Sequence, residues 1–205
     1  MDNFVITIAR CFGSGGKQIG LALSKQLGIP CYENQILSMA SNYSGINKDL
    51  FFQVDEKLRG YHLIKRLMKS ANKDDIVEPT DKSFISDVNL YNIQAKIIKE
   101  LAKQQSCIII GKCANHLLRD YDNTVSVYIE APRAFCVKNV IERLGVTEEE
   151  AHRMIYQTSY FSRPCNNLRT YEGHKHGSRR VCDDRRIYNI CRSADIRKIL
   201  SRKHS

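Results

Sequence analysis

Between residues 13 and 18 the chain reads Gly13-Ser14-Gly15-Gly16-Lys17-Gln18, a run whose chemistry lies in its backbone. Consecutive glycines let several N–H groups converge on one point. A helix starting directly after them adds the positive end of its dipole, and together they make a cradle for a phosphate group. Lys17 can add a point charge beside the terminal phosphates, and Arg10 stands at the cradle mouth as a second phosphate ligand. The plainer readings are a strand-to-helix turn that needs glycine for its geometry, and an exposed arginine at a strand end. The run also departs from the phosphate-loop consensus G-x-x-x-x-G-K-[ST], in which the lysine reaches the phosphates and the hydroxyl holds magnesium. With Lys17 as that lysine, Cys11 stands for the first glycine and Gln18 for the hydroxyl residue. Counted without gaps back from the helix, the lysine position falls instead on Gly16.

A second group of reactive side chains sits near the end of the chain. Cys165, His174, His176 and Cys182 are possible zinc ligands in a glycine-rich stretch. Their spacing fits no standard zinc pattern, and solvated histidines with free thiols are the better reading, so no metal ligands are assigned. Asp183 and Asp184 read as surface groups or partners of nearby arginines. The eight cysteines contain no C-x-x-C and suit reduced thiols rather than a disulfide framework.

The charge is uneven. Residues 1–162 carry 20 basic and 18 acidic side chains, whereas residues 163–205 carry 12 and 4, so most of the net +10 belongs to the final quarter. A bare charge run reads first as solvated surface, and otherwise as a clamp for polyphosphate or a contact for RNA.

Positioning the cradle requires a strand before it and a helix after it. Residues 4–9, Phe-Val-Ile-Thr-Ile-Ala, form a β-branched apolar run suited to a buried strand. Residues 17–27 carry Ile19, Leu21, Leu23 and Leu27 at helical spacing, stopped by Gly28 and Pro30. Residues 33–72 read as mostly helical with a break near Ser44-Gly45, and 73–85 as a loop. A long helix is expected over about 87–105, then a buried strand at 107–111 too apolar for a sheet edge. Thr124 to Ile129 reads as a third strand, followed by a helix from Pro132 to about Leu144. Thr147-Glu148-Glu149-Glu150 is a capping box that opens another. Beyond about residue 160 the pattern dissolves into a loop, with Ile187–Cys191 as a candidate last strand and Ala194 to Leu200 as a last helix. Alternating strands and helices predict an α/β fold: a three-layer phosphate-loop domain with a mainly parallel sheet.

A chain of 205 residues suits one domain, and 42% hydrophobic with 26% charged residues is the balance of a soluble globular protein. No stretch has the length and apolarity of a membrane span, and the opening residues lack the charged and apolar regions of a leader. The expected location is the cytoplasm, with no membrane partner.

Ile6 through Gly20 resembles the opening signature of the cytidylate kinase-like family, which commonly shows Ser/Ala-Arg-Glu-Phe-Gly-Ser-Gly-Gly-Arg/Lys-x-Ile-Gly. Leu27 to Glu33, Ser44-Gly45-Ile46, Val54 to Lys57, Ile108 to Asn115 and Glu142 to Gly145 are similar to later segments of that family, so the resemblance covers about residues 4–160. It implies a core over about 1–45, 86–155 and 187–205, a helical acceptor-binding region over about 46–85, and a basic lid over about 156–186. Carried over residue by residue, Gly13 to Lys17 would hold the donor phosphates. Lys112 and Asn115 would bind the acceptor, where the family usually has arginine and aspartate. Lysine lacks the paired hydrogen bonds of arginine and asparagine lacks a carboxylate. The Gly-x-Lys-x-Gly of Gly173 to Gly177 survives from the family lid, while its paired tyrosines and tryptophan do not. Arg163, Arg169 and Lys175 would then join Lys17 as catalytic cations.

The resemblance implies transfer of a phosphoryl group from ATP, with magnesium, to a nucleoside monophosphate, CMP or dCMP first. Two other readings stay open. One is a nucleotide or phosphate sensor that keeps the cradle without turnover, in keeping with the altered Gln18, Lys112 and Asn115. The other is a nucleic-acid module using the basic final quarter, where Tyr171 and Tyr188 are the only aromatic platforms for bases.

Overall fold

Val5, Ile6, Thr7, Ile8 and Ala9 are all buried, which requires a strand covered on both faces and paired on both edges. The structure, a computed structural model that describes residues 3–57, 76, 79, 81, 83–162 and 179–182, meets both requirements. Strand β1 (Val5–Arg10) lies at the centre of a five-stranded sheet. It pairs in parallel with β3 (Cys107–Ile110) on one side and β4 (Thr124–Glu130) on the other. Strand β2 (Cys31–Tyr32) flanks β3 and β5 (Arg179–Cys182) flanks β4, giving the order β2-β3-β1-β4-β5 with every pairing parallel.

The period-two alternation of the strands sorts the core into two faces. Ile6, Ile8, Ile108 and Ile110 point to one side and meet Leu23 of α1 (Gly16–Leu27). Val5, Cys107 and Ile109 point to the other and meet Ile36 of α2 (Gln35–Ser44) and Ile98, Leu101 and Ala102 of α4 (Asp87–Gln104). Between α2 and α4 lies α3 (Lys48–Lys57), which sinks Phe51 and Val54 against Leu90, Tyr91 and Ile93. The four-residue α5 (Ala114–Leu117) follows β3. Helices α6 (Arg133–Leu144) and α7 (Glu148–Ser162) form a further cluster around Cys136, Val137, Val140, Ala151 and Ile155. The three-layer α/β architecture expected from the alternation of strands and helices is present.

Helix limits follow local chemistry. Helices α1, α2 and α6 each end at a glycine in the left-handed region (Gly28, Gly45 and Gly145), where a side chain would be strained. Ser86 caps α4 by accepting from the Asn89 N–H at 3.2 Å. At α7 the capping box closes in both directions: Glu150 N–H donates to Thr147 Oγ1 at 3.3 Å, and Thr147 N–H donates to Glu150 Oε2 at 3.0 Å.

Three features differ from the sequence pattern. The two-residue β2 and the four-residue α5 are too short to leave a periodic signal. Strand β5 occupies Arg179–Cys182, inside an arginine-rich stretch that reads as loop. Its backbone completes the outer edge of β4 from Val127↔Arg179 to Glu130↔Cys182, and the demand of a buried strand for backbone partners overrides composition there. The run Ile187–Cys191, the stretch Ala194 to Leu200 and most of the expected loop over 73–85 lie outside the described residues.

Cys11, Cys31, Cys107, Cys113 and Cys136 are not joined in disulfides. Burial, with Glu33 nearby, pushes Cys31 up to about 11, and burial with Cys31 nearby pushes Cys107 up to about 12. Both remain inert, packed thiols at neutral pH. Among the described residues no helix is long and apolar enough to cross a membrane.

Ile108 is fully buried in the middle of β3 and packs in the cluster between the sheet and α1. Ile108→Ala is expected to lower unfolding free energy by about 2–5 kcal/mol, read from urea denaturation, because the rigid sheet cannot collapse into the void.

Candidate functional site

The carboxyl ends of the parallel strands converge on one cavity of about 390 Å³. Ligand sites in open α/β sheets form at this edge, where the chain leaves neighbouring strands in opposite directions. Here β1 is that point, with β2 and β3 to one side of it and β4 and β5 to the other.

The glycine loop leaves β1 at Arg10 and is tied down from two directions. Cys11 N–H donates to the Ile129 carbonyl at 3.0 Å, and Cys11 Sγ lies 2.9 Å from the Tyr128 hydroxyl, fixing the loop to the end of β4. From the other side, Asn139 of α6 donates through Nδ2 to the Gly13 carbonyl at 2.7 Å. Gly13 has a φ of 82°, and a Cβ there would lie 2.6 Å from the Cys136 carbonyl oxygen, so only glycine lets the loop pass this close to α6. Ser14 is buried and spends its hydroxyl on the Cys11 carbonyl at 2.8 Å, so its side chain serves the loop and not the cavity.

Gly15 is the N-cap of α1, with a φ of 81°. The first bond of the helix runs from Ile19 N–H to the Gly15 carbonyl at 3.1 Å. The amides of Gly16, Lys17 and Gln18 thus have no carbonyl four residues back within the helix. No side chain caps this end and its first turn holds no acidic residue, leaving the positive end of the dipole for an anion.

Charged side chains ring the cradle. Arg10 Nη2 lies 2.9 Å from Glu33 Oε1, and Lys17 Nζ lies 2.8 Å from Glu33 Oε2, so one carboxylate holds both cations. Burial pushes the Glu33 carboxyl up. The Lys17 hydrogen bond and the charges of Arg10, Lys17 and Lys112 outweigh it, and the net shift is below the usual glutamate range. Glu33 is therefore a carboxylate at neutral pH. Gln18, with its amide oriented to satisfy both neighbours, donates to the Gly15 carbonyl and accepts from Arg143 Nη1, each at 3.1 Å.

The turn after β3 builds the opposite wall. Gly111, Lys112 and Cys113 have φ of 72°, 55° and 54°, three successive left-handed residues of which two carry side chains. This turn sends Lys112 inward, only 4% exposed, to meet Asp55 of α3 at 2.6 Å. A Cβ at Gly111 would lie 3.0 Å from Arg10 Nη1, so this wall and the cradle mouth are in contact.

The residues singled out in the sequence fall as follows. Arg10, Gly13, Gly15, Gly16, Lys17, Gln18, Lys112 and Asn115 all line the cavity; Ser14 lies behind it. Arg163, Arg169 and Lys175 lie outside the described residues. Sequence reasoning missed Glu33, Asp55, Asn139 and Arg143. Of these, Glu33 carried a faint signal, a carboxylate just beyond the carboxyl end of a strand, but that strand is only two residues long.

Comparison with known proteins accords with this geometry. The model of the cytidylate kinase-like family matches residues 5–191. Among solved structures, an uncharacterized protein from Eubacterium ventriosum ATCC 27560 superposes with a TM-score of 0.57 at 21% identity, covering 97% of this chain and 99% of that one. The protein TT1252 from Thermus thermophilus gives 0.53 at 15% identity, covering 97% and 98%. At such identities the likeness is one of fold. No curated protein matches the chain. With the family model spanning most of its length, the chain belongs to the cytidylate kinase-like family.

Two measurements check the electrostatics. Asp55→Ala strands Lys112 as a buried unpaired charge and is expected to cost about 3–5 kcal/mol in urea unfolding, most of it regained when Lys112→Met is added. Glu33→Gln should be less stable than the parent at neutral pH. Because the folded-state pKa of Glu33 lies below its unfolded value of 4.5, its stabilisation is full above 4.5. The difference between parent and variant should therefore vanish as pH falls through the folded value.

Proposed function

We propose that this member of the cytidylate kinase-like family transfers the γ-phosphoryl group of ATP to a nucleoside monophosphate, with CMP or dCMP as the first acceptor to try. The observation that carries the reading is the uncapped, acid-free start of α1 behind Gly13–Gln18, opening onto a cavity that also holds Arg10, Lys17, Lys112 and Arg143. Its volume is in the range of small-molecule sites.

In this reading the ATP phosphates lie against the amides of Gly15 to Gln18, with Arg10 and Lys17 donating to their oxygens. The acceptor occupies the side lined by Asp55, Lys112, Cys113 and Asn115. An acceptor phosphate oxygen forms a bond to the γ-phosphorus as the bond to the bridging β,γ-oxygen breaks, and ADP leaves. Such a transfer needs alignment and neutralised charge rather than a covalent nucleophile. Arg163, Arg169 and Lys175 are proposed as the cations that close over the transferred group. A cytoplasmic setting suits cysteines that, among the described residues, form no disulfide. Magnesium has no hydroxyl ligand after the glycine loop, and no step is assigned to it.

A second reading, nucleotide binding without turnover, draws support from Glu33, which already occupies both cations at the cradle mouth.

A coupled ADP-release assay with ATP, magnesium in the buffer and each nucleoside monophosphate in turn separates the two. Turnover with CMP or dCMP that falls by about 10²–10³-fold in Lys17→Ala is the expected result. Absence of turnover with every monophosphate, alongside tight ATP binding by calorimetry, would select the non-catalytic reading.

A further inference from the structure

The phosphate-loop consensus supplies two cationic groups to the bound phosphates, its lysine and the divalent magnesium held by the following hydroxyl. The sequence alone allows two counts of the consensus along this loop, and the helix start separates them. Gly15 is the N-cap, and Gly16 and Lys17 are the first two residues of α1. With Gly15 as the last loop glycine, Gly16 stands at the lysine position and Lys17 at the hydroxyl position.

The packing around both residues agrees with that count. A Cβ at Gly16 would lie 2.8 Å from Arg10 Cβ, 3.1 Å from Cγ and 3.3 Å from Cδ, so the space for a side chain rising from Gly16 is filled by the Arg10 stem. The Arg10 guanidinium continues past it to Glu33 on one side and Gly111 on the other. Arg10 thus supplies, from the end of β1, the cation that the helix start does not. Lys17, one residue on, directs its ammonium to the second oxygen of the same carboxylate at 2.8 Å.

Magnesium does not fit these donors. It takes near-octahedral oxygen ligation at about 2.0–2.1 Å, completed beside a nucleotide by water, phosphate oxygens and one or two protein oxygens. Of the two carboxylates that line the cavity among the described residues, Glu33 is occupied by Arg10 and Lys17, and Asp55 by Lys112. The Ser14 hydroxyl is turned to the Cys11 carbonyl and buried, the Gln18 amide is held by Gly15 and Arg143, and Thr158, the hydroxyl residue that lines the cavity among the described residues, has an interaction of its own. Seating a divalent ion at Glu33 would bring it against two cations already there.

We propose that the cradle binds nucleoside triphosphate without a divalent cation, with the Lys17 ammonium standing in the place of the metal, the Arg10 guanidinium in the place of the lysine, and Glu33 yoking the two. The inference rests on the reading of the cavity as a nucleotide site. Glu33 keeps both cations aimed at one point before the nucleotide arrives. Incoming phosphate oxygens then accept from the remaining N–H groups of both, so the arrangement needs no rebuilding on binding.

The test is ATP titrated calorimetrically into the full chain at constant ionic strength, once with EDTA and once with excess magnesium. The expected dissociation constants agree within about threefold, a difference under 1 kcal/mol. Lys17 is half-exposed, so its replacement leaves the fold intact, which circular dichroism verifies. Lys17→Ala is expected to weaken ATP by about tenfold or more in EDTA. Lys17→Thr, which restores a hydroxyl, is expected to lose the same affinity in EDTA and to recover at least about tenfold when magnesium is added. Tightening of the parent by about tenfold or more with magnesium overturns the inference while leaving the nucleotide reading intact. Lys17→Thr binding in EDTA as well as the parent also overturns it. Failure of the parent to bind ATP in either buffer removes the nucleotide reading itself, and this inference with it.

Discussion

A methyl group on Gly13 would sit 2.6 Å from the backbone carbonyl of Cys136, and one on Gly16 would sit 2.8 Å from the stem of Arg10. These two approaches set the shape of the whole carboxyl edge of the sheet. Because the loop after β1 passes against α6 without a side chain between them, Asn139 can reach the Gly13 carbonyl and hold the loop open toward the cavity. Because α1 starts on a residue with no side chain, Arg10 can lie flat across it and meet Glu33. A larger residue at either point would displace the loop from α6 or the arginine from its carboxylate, and the cluster of opposed charges would come apart.

The far wall of the cavity uses strain where the near wall uses small residues. Lys112 and Cys113 sit in the left-handed region at a cost of about 1–2 kcal/mol each, relative to the right-handed alternative. What they gain is direction: the chain reverses immediately after β3 and drives an ammonium into a nearly dry position beside Asp55. An ion pair so buried returns little net stability, since desolvation offsets most of the attraction. Its contribution is positional, linking α3 to the end of β3 so that the two sides of the cavity keep a constant separation. Strain of this kind persists only where surrounding structure over-determines it, and it gathers at sites of function.

Much of this was legible in the chain itself. The β-branched run before the glycines, the glycine stops after α1 and α2, the apolar strand at 107–110 and the capping box at Thr147 are local signals, and each marks its element. The cradle was legible for the same reason, being a contiguous stretch between a strand and a helix. What was not legible depends on residues distant in sequence. Glu33 acquires its place through a strand of two residues, too short for any periodicity, and Asp55 through the packing of Phe51 and Val54 beneath it. The position of Lys17 relative to the consensus could not be decided by counting, because each alignment keeps the last loop glycine and fails elsewhere, one at Cys11 and Gln18 and the other at Gly16 and Lys17. Only the start of α1 and the space claimed by Arg10 distinguish them. Strand β5 was masked by composition, since arginine-rich sequence reads as loop until a neighbouring strand needs its backbone.

The brevity of β2 reaches into the dynamics of the charge cluster. Arg10 ends the central strand and Lys17 lies in the first turn of a helix whose Leu23 packs into the core, so both are carried by well-packed elements. Glu33 follows an edge strand joined to β3 at only two register positions, Cys31↔Ile108 and Tyr32↔Ile109, beside a bond from Ile108 N–H to the Pro30 carbonyl. Such an edge is the least costly piece of a sheet to detach, and its amides exchange with solvent through local rather than global opening. Each fraying event carries the carboxylate away and leaves an arginine and a lysine facing one another with no counterion between them. The alignment of the two cations therefore depends on the weakest edge of the sheet: what anchors β2 also holds Glu33 between them.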